Sequence, residues 1–338
     1  MRQVWITKRG GPEVLGLREA PDPQPGDGEV RISVASAGVN FADVMARLGL
    51  YPDAPPLPAV VGYEVAGTVD RVGPGVAGVR EGDRVAAFTR FGGYSSSVVV
   101  AAAQAIPLPD TLSFEKGATI PVNYLTAWIM LVHLGCVRRG DRVLVHAAAG
   151  GVGQAALQIC GWRGAEVIGT ASASKHERLR AMGAAHVIDY RTHDFEAEVK
   201  RITGGRGVDV ALDAVGGDSF RKSYRSLAPL GRLYVFGASS MATGARRSLM
   251  AALAGLARMP RFHPLGMMNG NRGVHGVNLG HLWGGADLLA RMLGEIMERV
   301  ADGTFDPVVD RSFPLERAGE AHSYIQERRN FGKVLLAP

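Results

Sequence analysis

The sequence predicts an α/β fold in which a doubly wound parallel sheet follows a β-rich segment. From about residue 122, β-type and helical stretches alternate regularly, whereas the preceding residues form short β-type runs separated by Gly and Pro turns. A third observation gives the sheet a purpose. Val143-Leu144-Val145 runs directly into Ala147-Ala148-Ala149-Gly150-Gly151-Val152-Gly153, and Gln154 to Cys160 continues with helical character. Read from Ala148, this turn is A-x-G-x-x-G. Gly150 lets the backbone approach a pyrophosphate, Gly153 lets the next helix pack on the sheet, and the helix N-terminus faces the anion.

The alternation is expected to run as strand Arg142–Ala147, helix Gly153–Trp162, strand Glu166–Thr170, helix Lys175–Met182 and strand His186–Tyr190. Helix Phe195–Ile202, strand Val208–Val215, helix Phe220–Ala228 and strand Arg232–Gly237 follow. Their continuous apolar strands suit a sheet covered on both faces. Upstream, Val30–Ala35, Ala59–Val61, Glu64–Val72, Arg84–Phe88 and Ser95–Ala101 read as an all-β domain. Residues Val308–Pro314, Glu316–Arg328 and Gly332–Leu336 leave the alternation and are expected to complete that first domain. The expected division is 1–121 completed by 283–338, with 122–282 between them and an insertion at about 239–273.

Composition narrows the class. The chain has 338 residues, 46% hydrophobic and 21% charged, as in an ordinary globular protein. Met1–Lys8 lacks the apolar core of a signal peptide and every apolar run is broken, so a cytoplasmic protein without a membrane span is expected. The net charge of +6 is spread out and no nucleic-acid-binding pattern accompanies it. Cys136 and Cys160, the two cysteines, sit in apolar helical settings suited to small buried side chains and are too few for a four-thiolate zinc site. His146 is expected to be packed in the interior. His133, His176, His186, His193 and His322 show neither metal-ligand spacing nor an evident carboxylate partner.

The order of these parts resembles the medium-chain dehydrogenase/reductase superfamily over essentially the whole chain. Gly38-Val39-Asn40-Phe41-Ala42-Asp43, Leu57-Pro58 with Gly62-Tyr63-Glu64 and Gly67, Gly82-Asp83-Arg84-Val85, and the glycine turn resemble its zinc-free quinone oxidoreductase branch. Pro260-Arg261-Phe262-His263-Pro264, Asn271-Arg272-Gly273-Val274 and Asn278-Leu279-Gly280-His281-Leu282-Trp283 are similar to the vesicle amine transport protein 1 subgroup. The resemblance implies a Rossmann-type domain joined to a GroES-like β-rich catalytic domain. It also implies a homodimer, for which Val274–Leu279 is the candidate edge strand.

Where zinc enzymes of this superfamily carry cysteine and histidine ligands, this chain has Asn40 and Tyr63, and Thr89–Ser97 is too short and cysteine-free for a structural zinc lobe. The expectation is no metal. The stretch Gly169-Thr170-Ala171-Ser172-Ala173-Ser174-Lys175 lacks the carboxylate that binds the ribose of NAD. Ser172, Ser174 and Lys175 supply donors suited to the extra phosphate of NADPH; alternatively Lys175 is only a solvated residue at a helix start. On resemblance, Tyr190 joins the phosphate contacts. Ala149, Gly150, Gly151, Val152 and Gly153 cradle the pyrophosphate, and Val215, Phe236, Gly237, Val277 and Asn278 flank ribose and nicotinamide. Phe236 reads equally as a core aromatic. Asn40 and Lys333 are further cofactor candidates by the same resemblance.

The resemblance therefore implies hydride transfer from NADPH to a conjugated carbonyl, a quinone or enone. Tyr51 matches the tyrosine that related enoyl thioester reductases use as proton donor, with Asn40 and Tyr63 as further hydrogen-bond donors; Tyr51 alternatively just closes a Pro-rich loop. An enoyl thioester reductase is a second possibility. The vesicle-protein subgroup offers another, a lipid- or membrane-associated protein with low or no reductase activity. Leu249, Met250, Leu253, Leu256 and Met259 share a helical face ringed by Arg246, Arg247, Arg258, Arg261 and Arg272, suited to peripheral membrane contact or to covering a substrate pocket. Packing on its own domain or a second subunit is the more ordinary use of such a face.

Overall fold

The computed structural model describes residues 1–242, 244, 249–282 and 285–338; Arg246, Arg247 and Trp283 lie outside the described residues. It divides into two compact units, one drawn mainly from Met1–Leu125 and Leu279–Pro338, the other from Thr126–Thr243 and Ser248–Asn278.

The chain opens with β1 (Arg2–Ile6), β2 (Leu15–Glu19), β3 (Glu29–Val39), α1 (Phe41–Leu48), β4 (Ala59–Val60), β5 (Glu64–Val72), β6 (Arg84–Phe88), β7 (Ser97–Ala101) and β8 (Ala105–Pro107). Two helices, α2 (Phe114–Gly117) and α3 (Ile120–Trp128), follow. The expectation of an all-β domain is corrected by α1. Asn40 caps it and the Asp43 carboxylate reaches back to the Asn40 amide at 2.8 Å, while Gly49, at φ 68°, ends it in the left-handed region. That N-x-x-D box followed by glycine was the local signal of a helix inside β-type sequence.

The second unit comprises β9 (Arg142–Val145), α4 (Gly151–Arg163), β10 (Glu166–Ala171), α5 (His176–Ala181), β11 (His186–Asp189), α6 (Phe195–Ile202), β12 (Val208–Asp213), α7 (Asp218–Arg225), β13 (Leu227–Val235), α8 (Leu249–Ala257), α9 (Pro264–Gly270) and β14 (Gly273–Gly276). Its strands form a parallel sheet in the order β11-β10-β9-β12-β13-β14. Successive strands step outward from β9 to β11, then resume on the other side at β12. The point of reversal lies between β9 and β12, where open α/β sheets bind ligands. Leu144, Ile168, Ala211 and Leu233 are fully buried in this unit's core. β9 ends at Val145, two residues before the expected boundary, because Ala147 adopts a left-handed φ of 50° to enter the glycine turn.

One expectation fails here. Cys136 is exposed at a positive φ of 45° rather than helical and buried; Cys160, on α4, lies in the core. On α8, Met250 is 83% exposed and Leu253 64%, whereas Met259, just beyond it, receives the Gly217 amide at 3.4 Å.

The chain then returns through α10 (Ala286–Ala301), β15 (Val309–Pro314), α11 (Ala318–Gln326) and β16 (Lys333–Ala337). β16 pairs with β3 and β15, building the sheet β15-β16-β3-β5-β6-β8 with β7 also on β3. Val30, Ile32, Val65, Val85, Val334 and Leu336 share the resulting core.

Candidate functional site

At the carboxyl edge of the parallel sheet, the glycine turn leads into α4 with Gly150 as its N-cap. A β-carbon at Gly153 would stand 2.5 Å from the Ala147 carbonyl oxygen and 2.6 Å from that of Ala148, so only glycine allows this tight entry. No acidic side chain occupies the first turn of α4, which leaves its positive end available for an anion.

The neighbouring turns carry the other residues expected at this edge. Ser172 follows β10 and caps a short turn containing Lys175, and its hydroxyl lies 3.5 Å from that of Ser174. The parallel register pairs Ala171 with Asp189, so Tyr190 leaves β11 beside Ser172. Val215 and Gly216 follow β12; the φ of 85° at Gly216 and the 3.1 Å clearance of its would-be β-carbon from Ala238 call for glycine there. Phe236, half-buried, and Gly237 follow β13, and the Val277 amide donates to Val235 at 2.9 Å beyond β14. The expected cofactor residues of this unit thus line successive strand ends.

Asn40 and Lys333 belong to the first unit. There the Lys333 ammonium, 3% exposed, pairs with the fully buried Glu64 carboxylate and donates to the Asn40 side-chain oxygen at 2.7 Å. The Asn40 side-chain amide donates to Glu64 at 3.1 Å, and the other Glu64 oxygen accepts the Val122 amide at 2.7 Å near the start of α3. One buried ion pair therefore orients Asn40 and joins β16, β5 and α3. Beside it, Asp43 accepts from the Gly62 amide at 3.2 Å and from the Tyr94 hydroxyl at 3.1 Å; Tyr94 lies 2.9 Å from His322 on α11. Asp43 thus fixes the main chain at Asn40 and at Gly62, next to the candidate residue Tyr63.

Tyr51 and Tyr63 meet edge to face, ring centroids 6.2 Å apart, and the tilted Phe91 ring lies 5.1 Å from that of Tyr63. Burial, with Asp43 and Tyr51 nearby, pushes the Tyr63 phenol far above its ordinary pKa, so the hydroxyl stays neutral. Tyr51 is half-buried, on a loop where an Asp53 carboxylate oxygen lies 2.8 Å from Nε2 of His281. Sequence reasoning missed Asp43 and Tyr94; of these Asp43 had a local signal, its helix-capping box.

These donors do not fit zinc. The acid at this position, Glu64, is neutralised by an ammonium, and Asn40 and Tyr63 present a carboxamide and a strongly neutral phenol in place of thiolate and imidazole. Among the described residues no group of three His, Cys, Asp or Glu side chains could hold a metal ion.

The buried groups also set a pH dependence. Burial raises the Asp43 carboxyl from 3.8 to about 7, against the pull of its donors, so its contribution to stability is complete below 3.8 and is lost as pH rises through 7. Burial holds His322, with Arg47 nearby, well below 6.5 and lowers His146 as well; their contributions are present above 6.5 and are lost as pH falls. Where both imidazoles are neutral in the fold, unfolding below 6.5 takes up two protons there and releases one from Asp43. Stability is expected to fall with acid by up to about 1.4 kcal/mol per pH unit. Urea unfolding between about pH 7.5 and 5 measures it, and a flat or rising profile on acidification contradicts the assignment.

A parallel sheet with a glycine turn at its point of reversal, joined to a β-rich unit carrying neutral hydrogen-bond donors, defines a dinucleotide-dependent dehydrogenase or reductase. Residues 26–110 match the family model described as alcohol dehydrogenase GroES-like domain, and residues 182–336 match the one described as zinc-binding dehydrogenase. The synaptic vesicle membrane protein VAT-1 homolog of Rattus norvegicus is 40% identical over 100% of this chain and 84% of its own length. The Escherichia coli quinone oxidoreductase, solved in complex with NADPH, is 34% identical with a TM-score of 0.88, covering 100% of both chains. The CurK enoyl reductase is 30% identical with a TM-score of 0.86, covering 99% of this chain and 98% of its own. The chain belongs to the medium-chain dehydrogenase/reductase family, close to VAT-1 homologues and quinone oxidoreductases, and is an oxidoreductase of that type.

Proposed function

We propose that the protein is a zinc-independent, NADPH-dependent reductase acting on a conjugated carbonyl, a quinone or enone. The observation that carries this reading is the replacement of metal ligands by neutral donors locked in place, Asn40 by the Glu64–Lys333 pair and Tyr63 by its aromatic neighbours. NADPH, when bound, supplies a hydride. Gly150, Gly151, Val152 and Gly153 would hold its pyrophosphate, Ser172, Lys175 and Tyr190 would take the extra phosphate, and Val215, Phe236, Gly237 and Asn278 would flank its ribose and nicotinamide. Hydride addition to the far carbon of the conjugated system would send the electron pair to the carbonyl oxygen, where the Asn40 and Tyr63 donors would stabilise it. Tyr51 would protonate the resulting enolate or quinol anion and be reprotonated from solvent. Lys333 acts by orienting Asn40.

The test is NADPH oxidation against quinones, enones and enoyl thioesters, with thermal unfolding in NADPH and NADH. Turnover of quinones or enones, and a larger rise in melting temperature with NADPH than with NADH, are expected. Equal shifts would remove the phosphate argument, and exclusive turnover of thioesters would replace the substrate class. β14, at the edge of its sheet, is the proposed pairing strand of a homodimer.

A second reading, association with an anionic lipid surface, is favoured by one observation. Met250, Leu253 and Leu256 on α8 and Leu265 and Met268 on α9 are exposed, and no Asp or Glu occurs between residues 219 and 286. Among the described residues no helix is long and apolar enough to cross a membrane. Under this reading the protein co-sediments with phosphatidylserine vesicles but not with neutral ones, and Leu253→Glu abolishes it. No vesicle binding removes the reading.

A further inference from the structure

Three of the turns at the carboxyl edge of the parallel sheet are joined from behind by buried polar side chains. Thr170, near the end of β10, has its hydroxyl 3.1 Å from Nδ1 of His146, the residue that follows β9. Nε2 of His146 is 2.9 Å from the Ser223 hydroxyl on α7, which donates to Asp213 Oδ2 at 2.7 Å. Asp213 ends β12. Its Oδ1 accepts the amides of Val215 at 2.7 Å and Gly216 at 3.4 Å, and its Oδ2 also accepts the Ser219 hydroxyl at 2.7 Å. All four members of the chain are at most 3% exposed.

The order of donors follows from valence. Asp213 receives four donors, so the single proton of Ser223 is committed to it and the Ser223 oxygen must accept from His146 Nε2–H. Burial keeps the imidazole neutral, so Nδ1 is a lone pair that accepts the Thr170 hydroxyl. One arrangement satisfies every group. It links the turn holding Ser172 and Lys175, the glycine turn, and the turn of Val215 and Gly216.

We propose that Thr170, His146, Ser223 and Asp213 form a positioning chain that holds the three dinucleotide-facing turns in one preorganised arrangement. The inference rests on reading this unit as the NADPH site. The alternative is that His146 merely fills space against Phe195, whose ring centroid is 4.5 Å away. A packed histidine has no reason to keep one tautomer, nor to couple Thr170 to Ser223.

Nitrogen NMR of the full-length protein is expected to show His146 as a single Nε2–H tautomer; a mixed, Nδ1–H or charged imidazole overturns the chain. Thr170→Val and Ser223→Ala should each weaken NADPH binding by about tenfold. The double variant should lose clearly less than the product of the two, and additive losses, or no loss in either single variant, overturn the proposal. In the protein without NADPH, Ser223→Ala should speed amide exchange at Val215 and Gly216 by at least about tenfold, and unchanged exchange overturns it. If the wild type does not bind NADPH, the proposed function falls, while the tautomer and the exchange rates still decide whether the chain holds these turns. If either variant fails to fold, the wild-type tautomer alone decides.

Discussion

Lys333→Met is expected to reduce the unfolding free energy by about 3–5 kcal/mol, because it leaves a carboxylate buried without its counter-ion. Glu64 is fully buried, and its remaining donors are the Asn40 side chain and the Val122 amide, neither of which carries charge. The exposed pairs of the chain behave differently: Arg317–Glu320, more than half exposed on both sides, is screened by solvent and contributes little. The double variant Glu64→Gln with Lys333→Met removes both charges and should regain a large part of the loss. Urea unfolding of the wild type and of these two variants is the measurement. A loss below about 1 kcal/mol for Lys333→Met would show that Glu64 is relieved by another group.

Tyr51→Phe is expected to lower kcat for NADPH-dependent reduction by about a hundredfold or more, with KM changed little. The substitution keeps the edge-to-face contact with Tyr63 and removes the hydroxyl, with its proton and its hydrogen bond to Tyr63. Steady-state kinetics with the best quinone or enone decides it. An unchanged kcat would transfer protonation to solvent and reduce Tyr51 to a loop residue. Tyr63→Phe is expected to cost less, about tenfold, because its buried phenol donates a hydrogen bond without releasing a proton.

How much was legible in the sequence depended on the range of the interactions. The parallel sheet was visible because each strand and helix carries its own apolar period, and Phe195–Ile202 was placed to the residue. The glycine turn was visible because Gly153 answers a local steric demand from Ala147 and Ala148. Helix α1 was obscured by flanking β-type residues although Asn40 and Asp43 spell its cap. The fate of Lys333 was invisible, since Glu64 lies 269 residues away and no spacing rule joins them. Tyr94 and His322, 228 residues apart, are in the same position. His146 was read as packed in the interior; it is buried, yet its two ring nitrogens both meet hydroxyls that only the folded sheet brings near.

The central place of β16 has a consequence for the time course of folding. All six strands of the parallel sheet come from one stretch, residues 142–276, so that sheet can assemble while synthesis continues. The other large sheet must wait. Its β3 is made early but remains without one neighbour until Lys333–Ala337 emerge to pair Val334 with Val39. During that interval an apolar strand edge stands open on the nascent chain, and closing it requires a contact of very long sequence separation, the kind that slows folding and invites association with other chains.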